Sequence, residues 1–131
     1  MPATLALRDE TTSGRTLHEW SLEFLTERIT VRELIRSRVY QEVQDYNLRS
    51  DDAYLGLVTP ADAEIALNGS KKLKRRDIDW KAQVERAQQA FVANQLLILV
   101  NDKQAETLDD EIVVKADTQV TFVKLVPLVG G

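Results

Sequence analysis

The chain has 131 residues, of which 44% are hydrophobic and 29% charged, a mixture typical of one folded domain. Its net charge of −4 is unfavourable for general nucleic-acid binding, and its longest apolar run, residues 96–100, is too short to cross a bilayer. The sequence contains no cysteine and one histidine, His18, which excludes disulfides, a thiolate nucleophile and metal sites with several His or Cys ligands.

Phosphate-binding glycine loops are also absent from the sequence, and the first residues lack the basic and apolar regions of a signal peptide. We therefore expect a cytoplasmic protein that is not an enzyme, has no catalytic or metal-binding residues and carries no cofactor. We also expect it to bind neither nucleic acid nor membrane.

The N-terminal segment is predicted to form a β-hairpin. Leu5 and Leu7 point to one side of an extended segment, and residues 11–14, Thr-Thr-Ser-Gly, form a turn signal. In the second strand, apolar residues alternate with polar ones: Trp20, Leu22 and Phe24. His18 shares their parity, which favours a residue at the sheet edge over a catalytic histidine.

An amphipathic helix of about four turns follows. Thr30 and Glu33 have the spacing of a capping box, in which the hydroxyl accepts an unpaired amide of the first turn and the carboxylate reaches back to the cap residue. The apolar residues recur at steps of three and four: Val31, Leu34, Ile35, Val39, Val43 and Tyr46.

The middle of the chain is less regular. Pro60 is typical of a first helical position and residues 68–70, Asn-Gly-Ser, of a helix end, so a short helix is predicted between them. The basic run at 71–76 is more typical of a solvated loop, with a surface for an acidic partner as the alternative. A second helix is predicted over 80–94, with one stripe assigned to the core: Trp80, Val84, Ala87 and Phe91.

The last third of the sequence is predicted to be β-structure. Residues 96–100 are apolar at every position, as expected of a central strand. Turns and short strands then alternate: a turn at 101–102, an antiparallel return at 103–108, a turn at 109–110, a segment at 112–114, a turn at 116–118 and a strand at 120–123. The acidic residues 109–111 favour a polar turn over a calcium site. The element order predicts an α+β fold.

The most informative motif is Gly130-Gly131, since only five residues of the chain are glycine. Glycine lacks a Cβ, so two glycines form a thin acyl end that fits closely into an enzyme channel. Pro127 and the β-branched Val126 and Val129 favour an extended backbone before it. A cloning scar or a frayed end is the uninformative alternative.

Three segments resemble the sulfur carriers of molybdopterin and thiamine biosynthesis, which share the β-grasp fold with ubiquitin. They are 97–102 (Leu-Ile-Leu-Val-Asn-Asp), 117–122 (Asp-Thr-Gln-Val-Thr-Phe) and 127–131 (Pro-Leu-Val-Gly-Gly). In the family, the corresponding segments are a strand with Val-Asn-Gly, a Gly-Asp-Glu-Val strand and Pro-x-x-Gly-Gly. The longer tail and the additional helix are more similar to predicted bacterial ubiquitin-like modifiers.

The resemblance implies a ubiquitin-like β-grasp domain over residues 1–131, in which a main helix packs on a mixed sheet. A second helix would lie in an insertion at about 47–95, and an extended tail would occupy about 124–131. Gly131 would be adenylated by an activating enzyme with ATP, and Gly130 would clear the channel. The same enzyme would read the apolar tail residues: Leu125, Pro127, Leu128 and Val129.

The resemblance further implies that a conjugating enzyme, in some systems alongside a peptidase, acts on the adenylated protein and transfers it to a target. Two alternatives remain open. The chain could be a sulfur carrier that forms a thiocarboxylate at Gly131, or a non-covalent adaptor that uses the fold as a binding surface.

Overall fold

The computed structural model describes residues 3–48, 57, 64–65, 71–72 and 79–125. These residues form an α+β protein with two helices and a mixed five-stranded sheet. The first strands and the first helix are β1 (Ala3–Glu10), β2 (Thr16–Phe24), β3 (Arg28–Thr30) and α1 (Val31–Leu48). The others are β4 (Glu64–Ile65), β5 (Lys71–Lys72), α2 (Trp80–Val92), β6 (Leu96–Val100), β7 (Lys103–Gln104), β8 (Glu111–Val113) and β9 (Gln119–Lys124).

The chain divides into two compact units. We call Met1–Leu34 together with Gln88–Gly131 the sheet unit, and Ile35–Ala87 the middle unit. Within the part of the chain that the structure describes, neither helix combines the length and the apolar composition that a membrane span requires. The prediction of one domain with an insertion stays a prediction.

The five-stranded sheet has the order β2-β1-β9-β6-β7. β1 and β9 pair in parallel, and the other neighbours are antiparallel. The predicted hairpin is confirmed: β1 and β2 pair along their length, and Gly14 in the turn has φ 88°, a left-handed value that favours glycine. β3 and β8 form a separate two-stranded sheet, and so do β4 and β5.

Helix α1 confirms the predicted apolar stripe and the hydroxyl half of the predicted capping box. The Thr30 hydroxyl accepts the Glu33 N–H at 3.1 Å. The first two N–H groups of the helix donate to carbonyl groups in a loop of the sheet unit. Val31 donates to the Asp110 carbonyl at 3.0 Å, and Arg32 donates to the Leu108 carbonyl at 2.9 Å. All six residues of the stripe are buried: Val31, Leu34, Ile35, Val39, Val43 and Tyr46.

The turn at Asn101-Asp102 shows how this chain closes a tight hairpin without glycine. Both residues are left-handed, with φ 50° and 70°, as a two-residue hairpin turn of the primed type requires. Asn101 is also fixed to β9, because its Oδ1 accepts the Gln119 N–H and its own N–H donates to the Gln119 carbonyl, each at 2.9 Å.

The predicted helix between Pro60 and residues 68–70 is wrong where the structure tests it. Glu64–Ile65 is strand β4 and pairs antiparallel with Lys71–Lys72 of the basic run, which is strand there and not loop. The boundary signals at Pro60 and 68–70, and the rest of the basic run, lie outside the described residues. Two strands of two residues each are held together by main-chain hydrogen bonds, so the sequence shows no periodic pattern of apolar residues that would predict them.

The antiparallel return predicted over 103–108 is too long, since β7 ends at Gln104. Ala105 still donates to the Ile98 carbonyl at 2.8 Å. The next two N–H groups, of Glu106 and Thr107, donate to Asp110 Oδ2 at 2.8 and 3.2 Å. A side-chain acceptor thus replaces the neighbouring strand.

Candidate functional site: the root of the C-terminal tail

The structure describes one of the residues predicted for activation and recognition, Leu125, which directly follows β9. The others lie outside the described residues: Pro127, Leu128, Val129, Gly130 and Gly131. The candidate site is therefore the point from which the tail leaves the sheet. We call Gln95, Lys124 and Leu125 the tail root.

Strand β9, which leads to the tail root, has partners on both sides, β1 and β6. Val120 and Phe122 are buried on one of its faces, and Thr121 and Val123 are buried on the other. A strand that is paired at both edges and buried on both faces has one register. The position and direction of the chain at Lys124 are therefore fixed by the interior of the sheet unit.

The ladder between β6 and β9 continues one residue beyond the strands themselves. Leu96 pairs with Lys124 at the end of the ladder, and the Leu125 N–H donates to the Gln95 carbonyl at 3.2 Å. This bond extends the ordered path of the backbone to the first residue that was predicted for recognition.

Gln95 is itself held by the end of α2. Its N–H donates to the Ala90 carbonyl at 2.9 Å, and the Asn94 N–H donates to the Phe91 carbonyl at 3.1 Å. Asn94 has φ 61°. This combination is a Schellman motif with asparagine in the left-handed position. Gln95 therefore connects the end of α2 with the tail: its N–H donates to the helix, and its carbonyl accepts the Leu125 N–H.

Three exposed apolar side chains belong to the elements that meet at this end of the sheet. Leu125 is 38% exposed, Val92 at the end of α2 is 65% exposed, and Leu17 on β2 is 61% exposed. Glu10 pairs both with Thr16, the neighbour of Leu17, and with Val123. Leu17 is thus two strands from β9, a distance of about 10 Å.

No family model, curated protein or solved structure matches the chain. The residues of the tail root themselves therefore indicate what chemistry it can support.

The one histidine lies on β2 and not at the tail root. His18 is exposed and stacks on Trp20, with ring centroids 4.8 Å apart and an angle of 24° between the planes. Since β2 is an edge strand of the sheet, the prediction of a sheet-edge residue is confirmed. Gln95, Lys124 and Leu125 offer an amide, an ammonium group and an aliphatic group, which suit binding better than bond-making chemistry.

Of the acidic residues 109–111, Asp109 and Asp110 lie in the predicted polar turn and Glu111 begins β8. Asp110 accepts the N–H groups of Glu106 and Thr107, and its Oδ1 accepts the Thr107 hydroxyl at 2.7 Å. These hydrogen bonds, that from the Glu106 N–H first, lower the pKa of Asp110 below its ordinary value. The neighbouring carboxylates face arginines: Asp109 is 3.4 Å from Arg32, and Glu111 is 3.5 Å from Arg28.

No group of three or more histidine, cysteine or carboxylate residues is placed to hold a metal ion in the residues that the structure describes. An open cavity of about 490 Å³ lies beside this turn. Val100, Ala105 and Ile112 contribute apolar lining, and Lys103 and Glu111 contribute charges. It lies at the far end of β6 from the tail root, about 17 Å along the strand, and includes none of the predicted site residues.

The sequence does not reveal Gln95, Val92 or Leu17 as parts of this region. Gln95 acts through its backbone, which leaves no side-chain signature. The one available signal is Asn94 between a helix and a strand, since asparagine is common where a helix ends in a left-handed residue. For Leu17, the signal is an apolar residue at an odd-numbered position of a strand whose other apolar residues, such as Trp20 and Leu22, occupy even-numbered positions.

Proposed function

We propose that this protein is a ubiquitin-like modifier, and that its Gly131 carboxylate is adenylated by a partner enzyme and transferred to a target. The observation that carries the proposal is the Pro-x-x-Gly-Gly pattern of residues 127–131, which begins three residues after the central strand β9 ends at Lys124. In this proposal, Gly130 clears the enzyme channel, and Leu125, Pro127, Leu128 and Val129 form the surface that the activating enzyme reads.

The fold supports the proposal at the level of architecture. A hairpin, a helix and further strands follow one another, and the first and last strands of the mixed sheet are adjacent and parallel. This arrangement is compatible with a β-grasp domain, which we infer as the fold. Leu17, Val92 and Leu125 would then provide apolar contacts for a partner at the end of the sheet from which the tail leaves.

The proposed chemistry needs nothing from this chain except its carboxylate. An oxygen of the Gly131 carboxylate attacks the α-phosphorus of ATP and releases pyrophosphate, which leaves an acyl adenylate. A nucleophile on the partner or target then attacks the Gly131 carbonyl carbon and releases AMP. Without cysteine, and with His18 exposed on β2, the chain relies on partners for both steps.

The tail root would lower the cost of docking. Fixing the backbone of one residue costs about 1–2 kcal/mol. The bond from Leu125 to Gln95 and the ladder before it already fix the chain as far as Leu125. An activating enzyme that binds here therefore does not have to supply the ordering of these residues.

The test begins with the intact mass of the protein isolated from its own cells, which must show Gly131 as the last residue. The protein is then mixed with ATP and the adenylating enzyme encoded beside its gene. We expect pyrophosphate exchange that depends on the protein, and a covalent adduct on the enzyme or a target. Deletion of Gly131 should abolish both signals, whereas Lys115→Ala, a substitution at an exposed residue away from the tail root, should change neither.

Absence of pyrophosphate exchange with the unaltered protein would contradict the proposal, as would equal exchange by the protein that lacks Gly131. Either result would favour the non-covalent adaptor.

A sulfur carrier is the second candidate, and the similarity of segments 97–102 and 117–122 to that family favours it. The adenylate would form in the same way, but a partner's persulfide would then supply sulfur, and a reductant would release the Gly131 thiocarboxylate. Intact mass distinguishes the two. A gain of one oxygen-to-sulfur exchange supports the carrier, and isopeptide or ester adducts support the modifier.

A further inference from the structure

A cluster of aromatic and basic side chains lies in the middle unit, on α1 and at the start of α2. We call it the Trp80 cluster: Arg36, Tyr40, Gln44, Trp80 and Lys81. The Tyr40 and Trp80 rings meet edge to face, with centroids 5.0 Å apart and an angle of 88°. Tyr40 is 39% exposed and Trp80 is half-buried. Trp80 was predicted to lie in the core with Val84, Ala87 and Phe91. That prediction holds for the other three but is wrong for Trp80.

Two cations flank the Trp80 ring. The guanidinium carbon of Arg36 is 5.5 Å from the ring centroid, and the Lys81 ammonium nitrogen is 5.9 Å from it. Both distances are in the range of cation–π attraction. Neither Arg36 nor Lys81 forms an ion pair with another residue that the structure describes. Among the residues that the structure describes, the two charges are therefore held at one aromatic surface without an ion-pair partner.

The cluster is also ordered in advance. Arg36, Tyr40 and Gln44 follow one another at steps of four on α1, which places them on one face of the helix. The Gln44 side chain donates to the Tyr40 hydroxyl at 2.7 Å. At the start of α2, Asp79 Oδ1 accepts the Lys81 N–H at 3.0 Å, so that carboxylate caps the helix. The Tyr40 ring and the backbones of the two helices therefore need little further ordering when a partner binds.

We propose that the Trp80 cluster binds an acidic segment of a partner protein, with Asp or Glu side chains beside an apolar or aromatic one. One carboxylate would accept two hydrogen bonds from the Arg36 guanidinium, and a second would meet Lys81. The apolar side chain would pack on the exposed parts of Tyr40 and Trp80. Tryptophan, tyrosine and arginine are the residues that most often dominate protein interfaces.

Charge selects a protein segment over a nucleic acid as the occupant. The chain as a whole carries −4, and a long polyphosphate backbone would extend over that negatively charged surface, whereas a short acidic segment is confined to the cluster. Nucleic-acid affinity also grows with the number of phosphates that are neutralised, and the cluster supplies two cations. A short acidic segment needs no more than those two.

The test uses the full chain with Trp20→Phe, which leaves Trp80 as the only tryptophan and its fluorescence as a direct signal. The protein is panned against a library of short random peptides, and the enriched peptides are synthesised and titrated. We expect enrichment of Asp and Glu together with an aromatic residue, and a change in Trp80 fluorescence on binding. The double substitution Arg36→Glu and Lys81→Glu should weaken binding by about tenfold or more.

The matched control reverses two exposed charges elsewhere, Arg15→Glu and Lys115→Glu, and should leave the affinity unchanged. Circular dichroism checks that both double variants are folded. Enrichment without acidic residues, or equal weakening by the control pair, would overturn the proposal. So would a single-stranded DNA oligonucleotide that binds more tightly than the peptides and depends on Arg36 and Lys81. None of these outcomes bears on the activation of Gly131.

Discussion

Two Arg–Glu ion pairs, one in each unit of the chain, differ in their exposure. In the middle unit, Arg38 is 3% exposed and lies 3.3 Å from Glu42, whose other oxygen accepts the Leu57 N–H at 3.0 Å. In the sheet unit, Arg28 and Glu111 are 3.5 Å apart, but their side chains are 73% and 59% exposed. The same kind of pair thus occurs in a mostly buried setting and in an exposed one, and Arg8–Glu10 of the sheet unit lies between them, with side chains 29% and 19% exposed.

The difference indicates what stabilises each unit. The exposed Arg28–Glu111 pair contributes about 0–1 kcal/mol, so we expect the sheet unit to depend mainly on its apolar strands. A buried pair is strongly destabilising when one partner is removed, because the other charge remains buried. We therefore expect the sheet unit to be most sensitive to lost volume and the middle unit to be most sensitive to lost charge.

The largest effect is expected from Phe122→Ala in β9. The Phe122 side chain is fully buried, and its truncation removes apolar contact and leaves a cavity, which should lower the free energy of unfolding by about 4 kcal/mol. Urea denaturation measures the change. Val113→Ala on β8, where the side chain is 40% exposed, is the control and should cost less than about 1 kcal/mol. Similar losses for both variants would contradict an apolar interior centred on β9.

Glu42→Leu tests the middle unit. It leaves Arg38 buried without this carboxylate and removes the acceptor of the Leu57 N–H, so we expect a loss of about 3 kcal/mol in unfolding free energy. Glu111→Leu removes the same charge from the exposed pair and should cost less than about 1 kcal/mol.

A double-substitution cycle sharpens this result. If the cost of Glu42→Leu comes from the loss of the Glu42 carboxylate beside the buried Arg38 guanidinium, adding Arg38→Met should recover part of the stability, because an apolar pair replaces the ionic one. Simple addition of two losses would show instead that Arg38 and Glu42 act independently.

The sequence predicts best the elements whose burial follows a period. All six apolar positions of α1 are buried, and the all-apolar β6 lies between two strands, as its composition predicts. The pair of β4 and β5 and the shortened β7 were missed for a physical reason. The two-residue strands β4 and β5 are defined by main-chain hydrogen bonds, and β7 ends early because the Asp110 side chain accepts the next N–H groups. Neither feature produces a repeating pattern of apolar residues in the sequence.

For the candidate site, the sequence predicts the tail residues, of which 127–131 lie outside the described residues, and it does not predict the tail root. The diglycine motif and Pro127 are visible as residues, but the anchoring of Leu125 depends on the Gln95 backbone. The exposure of Trp80 was also hidden, since its helical spacing is the same as that of a core residue. How far the Trp80 ring is buried depends on the residues that pack on it from other parts of the chain, and the pattern of one helix does not specify them.

Asn94 offers a smaller and more local comparison, at the connection between α2 and the tail root. Because its φ is 61°, Asn94→Ala forces a side chain with a Cβ and no local hydrogen bonds into a left-handed conformation, which should cost about 1 kcal/mol. Asn94→Gly fits the same conformation and should stay within about 0.5 kcal/mol of the original protein. Thermal unfolding of the two variants measures the difference. A larger loss for glycine than for alanine would rule out the Schellman geometry.

The smallest expected effect is a pH dependence at Asp110, in the turn that supplies two carbonyl groups to the start of α1. Its pKa is lowered in the folded protein, so the unfolded chain binds the proton more readily. The stabilisation is therefore complete above the unfolded pKa of about 3.9 and is lost as the pH falls through the lower folded value.

Asp110→Asn should be less stable than the original protein at neutral pH, and this gap in stability between the two proteins should close in acid. Urea midpoints measured from pH 7 down to about pH 2 follow the gap, with Asp117→Asn, an exposed aspartate outside this turn, as the control. A gap that is constant over this range would show that Asp110 acts by its shape alone and not by its charge.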